Sequence, residues 1–134
     1  MANLSHYWSK RLIDISVGHL QTLNSPSSLY LALYTTDPTA ADTGTEVAGS
    51  GYARVQIPSW AVASLIDGRQ TVKNTTELIF PTATGQWTSA AYWGIRDAMT
   101  GGNLIAYGTL ANEITVNDGD TPRAPADEIS ISFA

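Results

Sequence analysis

The stretch LYLALYT, residues 29–35, says more about the fold than any other part of the chain. Aliphatic and aromatic side chains occupy both sets of alternating positions, so a strand formed here is apolar on both faces. A short, continuous apolar run of this kind is typical of a strand covered on both sides. We therefore predict that Leu29–Thr35 forms a central, buried strand of a sheet.

Further short strands and turn residues continue on the C-terminal side of this segment. Tyr52–Ile57 (YARVQI) alternates in polarity, Asp67-Gly68 is a strong hairpin-turn signal, and Glu128–Phe133 closes the chain with apolar residues on one face. About eight such strands at regular turn spacings are typical of a sandwich or jelly roll. We predict a mainly β fold, an antiparallel β-sandwich or jelly-roll-like domain with an N-terminal amphipathic helix.

A long segment rich in Gly, Thr, Asp and Pro, residues 36–51 (TDPTAADTGTEVAGSG), separates two of these strands. Loops of this length are unusual in a compact domain and often carry function. We expect it to be flexible and to contribute to partner contact more than to the core. Asp37 and Glu46 are its candidate contact residues.

The N-terminal part of the chain has the one clear helical pattern. Leu4, Trp8, Leu12 and Ile15 recur at spacings of three and four, which indicates one apolar stripe along a helix within residues 3–20. Asn3 or Ser5 is suited to cap the start of this helix, and Gly18 is suited to its end.

The break at residues 24–26 (NSP) suggests a division of the chain into two parts. Residues 1–24 are predicted to be a helical docking segment, and residues 25–134 a β-sandwich domain. The apolar stripe of the helix must be buried against something. A neighbouring subunit or another protein is one possibility, and the helix's own sandwich is the other; the sequence favours neither clearly.

Composition excludes several classes of function. The 134 residues, with a mass of 14.3 kDa, suggest one domain and carry a net charge of −5, with only seven Lys and Arg. This charge balance speaks against nucleic-acid binding. The lack of cysteine excludes disulfides and thiolate chemistry. The apolar runs are too short to span a bilayer, and the N-terminus does not resemble a signal peptide, so we expect synthesis in the cytoplasm and no membrane partner.

Catalytic and metal-binding patterns are missing from the sequence. His6 and His19 have no acidic partners at helical spacing, and no serine lies in a nucleophile turn. The turn Asn117–Asp120 has the start of a calcium loop, but prolines follow where further ligands would be needed. We expect no enzymatic activity, no cofactor, no metal site and no small-molecule substrate.

Two of the four tryptophans lie near turn residues and are candidates for an exposed or interface position. These are Trp60 and Trp87, whereas Trp93 and Tyr92 are expected in the core. Exposed aromatic rings also suit glycan binding, which we retain as a minor alternative.

The order of several segments resembles a family of small structural proteins from the virions of tailed bacteriophages. The segments are LYLALYTTDP, GSGYAR, IFPTATGQW and the hairpin GIRDAMTGGNLIAYG, and the resemblance covers nearly the whole chain. Members are labelled tail fibre proteins, or look like capsid cement or decoration proteins. The resemblance implies a β-sandwich, a homotrimer and a virion role without catalysis. The segment PSWAVASLIDGRQTVKN departs from the typical pattern.

The function expected from this resemblance is capsid cement or decoration. Such a protein would bind the major capsid protein on the surface of the mature head and stabilise the shell by binding only that state. A tail or tail-fibre component is the alternative, and a receptor- or glycan-binding module on the virion surface is a further one. The helix residues, the two loop carboxylates and the two tryptophans named above are the expected contact residues with other virion proteins or with further copies of the chain.

Overall fold

The computed structural model describes residues 2–23, 25–26 and 28–133. The described residues form one helix and ten strands. The helix is α1 (His6–Ser16). The strands are β1 (Asn3–Leu4), β2 (Leu29–Tyr34), β3 (Val55–Ile57), β4 (Ser64–Ile66), β5 (Arg69–Lys73), β6 (Leu78–Ile79), β7 (Ala90–Arg96), β8 (Leu104–Ile114), β9 (Arg123–Ala124) and β10 (Ser130–Phe133).

The largest sheet has five antiparallel strands in the order β1-β8-β7-β2-β3. Strand β2 lies inside it, between β7 and β3, and residues 31–34 are all buried. Leu31 and Leu33 face the hydrophobic core. Leu33 lies opposite Trp93 of the neighbouring strand β7. The prediction of a central strand that is covered on both faces is confirmed.

Two smaller antiparallel sheets accompany the large one, with strand orders β10-β5-β4 and β6-β9. Side chains from β2, β6, β7 and β9 meet in one apolar core, with Leu33, Leu78, Trp93, Ala124 and Ile129 among its buried members. Apolar burial between layered sheets is the main favourable term in such a fold. The predicted mainly β, antiparallel architecture with an N-terminal helix is confirmed.

The helix is shorter than the sequence pattern predicted, because its first turn is replaced by a strand. Leu4 lies in β1, where it pairs with Ala106 of β8, and the helix begins only after Ser5. The Ser5 hydroxyl accepts a hydrogen bond from the Trp8 backbone N–H at 3.2 Å and donates one to the Leu104 carbonyl. Ser5 is therefore the N-cap, as predicted, and the same side chain ties the helix to β8.

The N-terminal segment also contributes to the sandwich itself. Strand β1 extends the five-stranded sheet by pairing with β8, and Ala2 is buried in the hydrophobic core. The expectation that residues 1–24 stand outside the β domain is therefore wrong for residues 2–4. Strand β1 has only two residues, which are too few to show the alternation of polar and apolar side chains that predicts a strand. That α1 docks on another protein stays a prediction.

Candidate functional site

The long loop at residues 36–51 is a folded part of the domain. Pro38 and Val47 are buried, and the Val47 backbone N–H donates to the Leu33 carbonyl at 2.9 Å. The Ala40 carbonyl accepts a hydrogen bond from the His6 N–H at 2.8 Å, which joins the loop to the start of α1. The prediction that this loop is flexible is therefore wrong. Its contribution to partner contact stays a prediction.

Arg96, at the end of β7, holds the middle of this loop. Its guanidinium donates two parallel hydrogen bonds to the Asp42 carboxylate, each 2.8 Å long. The same group donates to the Tyr34 hydroxyl at 2.9 Å and to the Gly101 and Gly102 carbonyls at 3.1 and 2.8 Å. Such bidentate pairing gives direction as well as energy, so the loop is held in one position against the sheet.

Arg54 makes a second arrangement of the same kind at the far end of the loop. Its Nε and one terminal nitrogen donate to the two oxygens of Glu46 at 2.9 and 2.8 Å. The other terminal nitrogen donates to the Ala98 and Gly101 carbonyls at 2.8 and 2.9 Å. The Tyr52 hydroxyl donates to Glu46 at 2.6 Å. Only 7% of the Arg54 side chain is exposed, so this ion pair is largely shielded from water.

The two arginines therefore share one target, the Gly101 carbonyl in the hairpin loop between β7 and β8. We call the group Asp42, Glu46, Arg54 and Arg96, together with the carbonyls of residues 98–102, the arginine clamp. It fastens the long loop to the hairpin loop. Every charge in it has an opposite charge within hydrogen-bonding distance, which offsets the cost of burial.

Electrostatics in the clamp favour an ionised Glu46 and neutral phenols at Tyr34 and Tyr52. Burial alone would raise the pKa of Glu46, but hydrogen bonds from Arg54 and Tyr52 outweigh it and hold that pKa below its ordinary 4.5. Burial, and then the hydrogen bond to Glu46, raise the pKa of Tyr52 well above 10. Burial also raises the pKa of Tyr34. The ionised groups of the clamp thus bind one another, and the role of the clamp is to hold the long loop and the hairpin loop together.

Glu46 therefore has a structural role that the sequence did not suggest. It was predicted as a partner-contact residue, and it is half-buried and bonded to Arg54 and Tyr52. Its role in partner contact stays a prediction. Asp37 is exposed and accepts a hydrogen bond from the Thr39 N–H at 2.9 Å, a local turn contact. A role of Asp37 in partner contact stays a prediction.

The two tryptophans that were predicted in exposed or interface positions differ in their burial. Trp87 was expected in an exposed position, and this is wrong, since only 2% of it is exposed. Its indole N–H donates to the Ser50 carbonyl at 2.8 Å, and the Tyr52 ring packs against it edge to face at 5.2 Å. Trp60 is half-buried and packs against the core. Trp93 is buried, as predicted.

The helix α1 and its C-cap keep two large apolar side chains open to solvent. None of its residues is buried. The predicted stripe residues Trp8, Leu12 and Ile15 are half-buried, with Trp8 packed against the core. The opposite side carries Ile13 and Val17, which are 64% and 61% exposed. These two apolar residues form a second face. The sequence pattern predicted one apolar stripe only, although a spacing of four residues also indicates that Ile13 and Val17 share a face.

No cluster of three potential metal-ligating side chains occurs among the residues that the structure describes. Within the same residues, no helix has the length and apolar character needed to cross a membrane.

The clamp predicts a marked difference between two arginine substitutions. Arg54→Ala removes the partner of a half-buried carboxylate and the donor to the Ala98 carbonyl, so we expect a loss on the order of 3 kcal/mol in unfolding free energy. Arg123→Ala removes an exposed pair with Glu77, 3.3 Å apart, and should cost about 0–1 kcal/mol. Urea unfolding of both variants measures the difference, and equal losses would show that the clamp does not stabilise the fold.

The lowered pKa of Glu46 predicts a dependence of stability on pH. A carboxyl group whose pKa is lower in the folded than in the unfolded state stabilises the fold above its unfolded pKa, and this contribution disappears as the pH falls through the folded value. The wild-type protein should therefore exceed Glu46→Gln in melting temperature at pH 7, and the gap should narrow below pH 4.5. Thermal scans over this range test it. A gap that is constant with pH would contradict the assignment.

A comparison with known families gives the affiliation of the chain. Residues 3–132 match the family model described as podophage GP4 fiber I protein gp80. No curated protein matches the chain. The match covers nearly the whole sequence, including the central strand, the clamped loop and the β7–β8 hairpin. The chain therefore belongs to the podophage GP4 fiber I protein gp80 family, a family of structural proteins of the phage virion.

Proposed function

We propose that this chain is a non-enzymatic component of the phage fibre apparatus that works by protein–protein contact, through the exposed face of α1. The single observation that carries the proposal is the state of this helix. It presents Ile13 and Val17 to solvent while its other apolar side is only half covered. An apolar helix face that remains open is suited to a hydrophobic groove on another protein.

The surroundings of α1 make it a firm platform for such a contact. Its start is held by the Ser5 cap and by the bond from the His6 N–H to the Ala40 carbonyl of the clamped loop. The helix is thus oriented before binding, which lowers the entropic cost of docking. Lys10 and Asp14 form an ion pair along the helix. We propose another virion protein as the partner and no cofactor or small-molecule substrate.

The position in the virion is a second part of the proposal. The family description favours a fibre, and we place the chain there first. A capsid cement role, which binds the major capsid protein, is the second candidate, because no repetitive fibre shaft occurs within these 134 residues. Glycan binding has lost its support, since Trp87 is buried and Trp60 packs on the core. We propose a homotrimer as the assembly state on the basis of the family resemblance.

Substitution on the open face of α1 tests the docking proposal. Each of Ile13 and Val17 would contribute about 1.5–3 kcal/mol if fully buried by a partner. Replacing both by Lys should therefore lower incorporation into virions at least about tenfold in a complementation assay with a phage that lacks the gene. The melting temperature of the isolated protein should hardly change, because both side chains are already exposed.

The matched control for that experiment is Ile79→Lys, which adds a positive charge at a residue 48% exposed in β6. It should leave incorporation unchanged. Incorporation of the Ile13→Lys/Val17→Lys variant at the wild-type level would overturn the docking proposal. An equal loss in the control would show that added charge alone prevents assembly.

Copy number separates the two positions in the virion. Quantitative mass spectrometry of purified virions should give a small number of copies for a fibre component, and on the order of hundreds for a protein that covers a head with many equivalent sites. A homotrimer predicts copy numbers divisible by three. Hundreds of copies would replace the fibre proposal by the capsid one.

A further inference from the structure

Residues 61–68 (AVASLIDG), which we call the arm, contain β4 and the turn that follows it, and all eight are exposed. The apolar side chains on it include Val62, Leu65 and Ile66, which are 90%, 67% and 38% exposed. Asp67 is the one charged residue of the arm. A run of apolar residues this open is costly in water, so its presence indicates that something covers it in the assembled state.

The arm is one strand and the turn of a β-hairpin, and it presents a defined strand edge. Asp67 and Gly68 have φ values of +50° and +77°, the two positive angles of a type I′ turn between β4 and β5. In such a hairpin the residues that flank the turn, Ile66 and Arg69, form a hydrogen-bonded pair. The next pair, Leu65 with Gln70, is then a non-bonded one, so the N–H and C=O of Leu65 point away from β5.

These outward groups lie at a sheet edge. Strand β4 is the outermost strand of its sheet, in the order β10-β5-β4. Soluble proteins usually protect such edges with charged residues, prolines or bulges. Residues 61–66 contain no charge and no proline. The arm thus offers both backbone groups and apolar side chains to an added strand, which is the chemistry of β-strand addition.

We infer that the occupant of this edge is the same arm of a second copy of the chain, paired antiparallel about a two-fold axis at Leu65. This register places Leu65 opposite itself, Ser64 opposite Ile66 and Ala63 opposite Asp67. The two leucines therefore meet at the axis, the large Ile66 meets the small Ser64, and the single charge of each arm meets an alanine. Each chain carries a net charge of −5, so an uncharged segment is also the region where two copies approach with least repulsion.

The pairing has two structural consequences. It joins two three-stranded sheets into one six-stranded sheet, and it closes, because a two-fold contact uses the same surface on both copies. It is also independent of the proposed docking of α1, since the arm and the helix are separate surfaces. Pairing through the arm connects two copies whether each is a single chain or part of a trimer.

Charge substitution at Leu65 tests this arrangement. In Leu65→Lys two ammonium groups would lie opposite each other across the two-fold axis, which opposes pairing. Light scattering at micromolar concentration should give a mass for Leu65→Lys that is half that of the wild-type protein. Leu65→Glu should behave in the same way. Ile79→Lys, in β6 and away from both proposed surfaces, is the matched control and should keep the wild-type mass.

A mixture of the two variants gives the specific readout. Because position 65 faces itself, Leu65→Lys and Leu65→Glu should associate with each other and restore the wild-type mass. Hydrogen exchange adds a measurement on the unaltered protein. The Leu65 amide, which points outward in a single chain, should become protected as the protein concentration rises.

Three outcomes would overturn the inference. One is a wild-type mass equal to that of Leu65→Lys, and another is a mixture that does not associate. The third is a Leu65 amide that exchanges at the same rate at every protein concentration. Protection that appears only when other virion proteins are added would instead show that a strand of a different protein occupies this edge.

Discussion

The pairing of two buried arginines with two loop carboxylates is the interaction on which the rest of the structure depends. Arg96 ends strand β7 of the large sheet and Arg54 directly precedes β3, while Glu46 and Asp42 lie on the loop that connects β2 to β3. A guanidinium in a partly dry site requires several acceptors, because an unpaired buried charge is very costly. The loop carboxylates and the hairpin carbonyls supply these acceptors, so neither loop can move without breaking the clamp.

A consequence of this clamp is a division of roles between the loops and the other surfaces. The β2–β3 loop and the β7–β8 hairpin loop hold the domain together, although loops are the usual carriers of function. The open apolar surface lies instead on a helix and a hairpin, at Ile13, Val17, Val62 and Leu65. Regular elements present side chains in defined positions, which suits a virion component that must fit its neighbours repeatedly.

Several features of the fold could be predicted because they depend on local sequence. The apolar run of β2, the Asp67-Gly68 turn and the Ser5 cap each follow from the chemistry of adjacent residues. The start of α1 was predicted less well. Leu4 fits the helical stripe, but its backbone is needed to pair with β8, and a distant strand outweighs local periodicity.

The sequence by itself determined the class of the molecule: a mainly β, cysteine-free, acidic chain with one amphipathic helix, whose segment order matches a phage structural family. The tertiary structure alone decided which polar residues are structural and which apolar residues are open. Glu46 is bonded to Arg54, eight residues away, and Trp87 is buried beneath Ser50 and Tyr52. Exposure and ion pairing depend on which segments meet in space, and periodicity along the chain contains no information on contacts between distant segments.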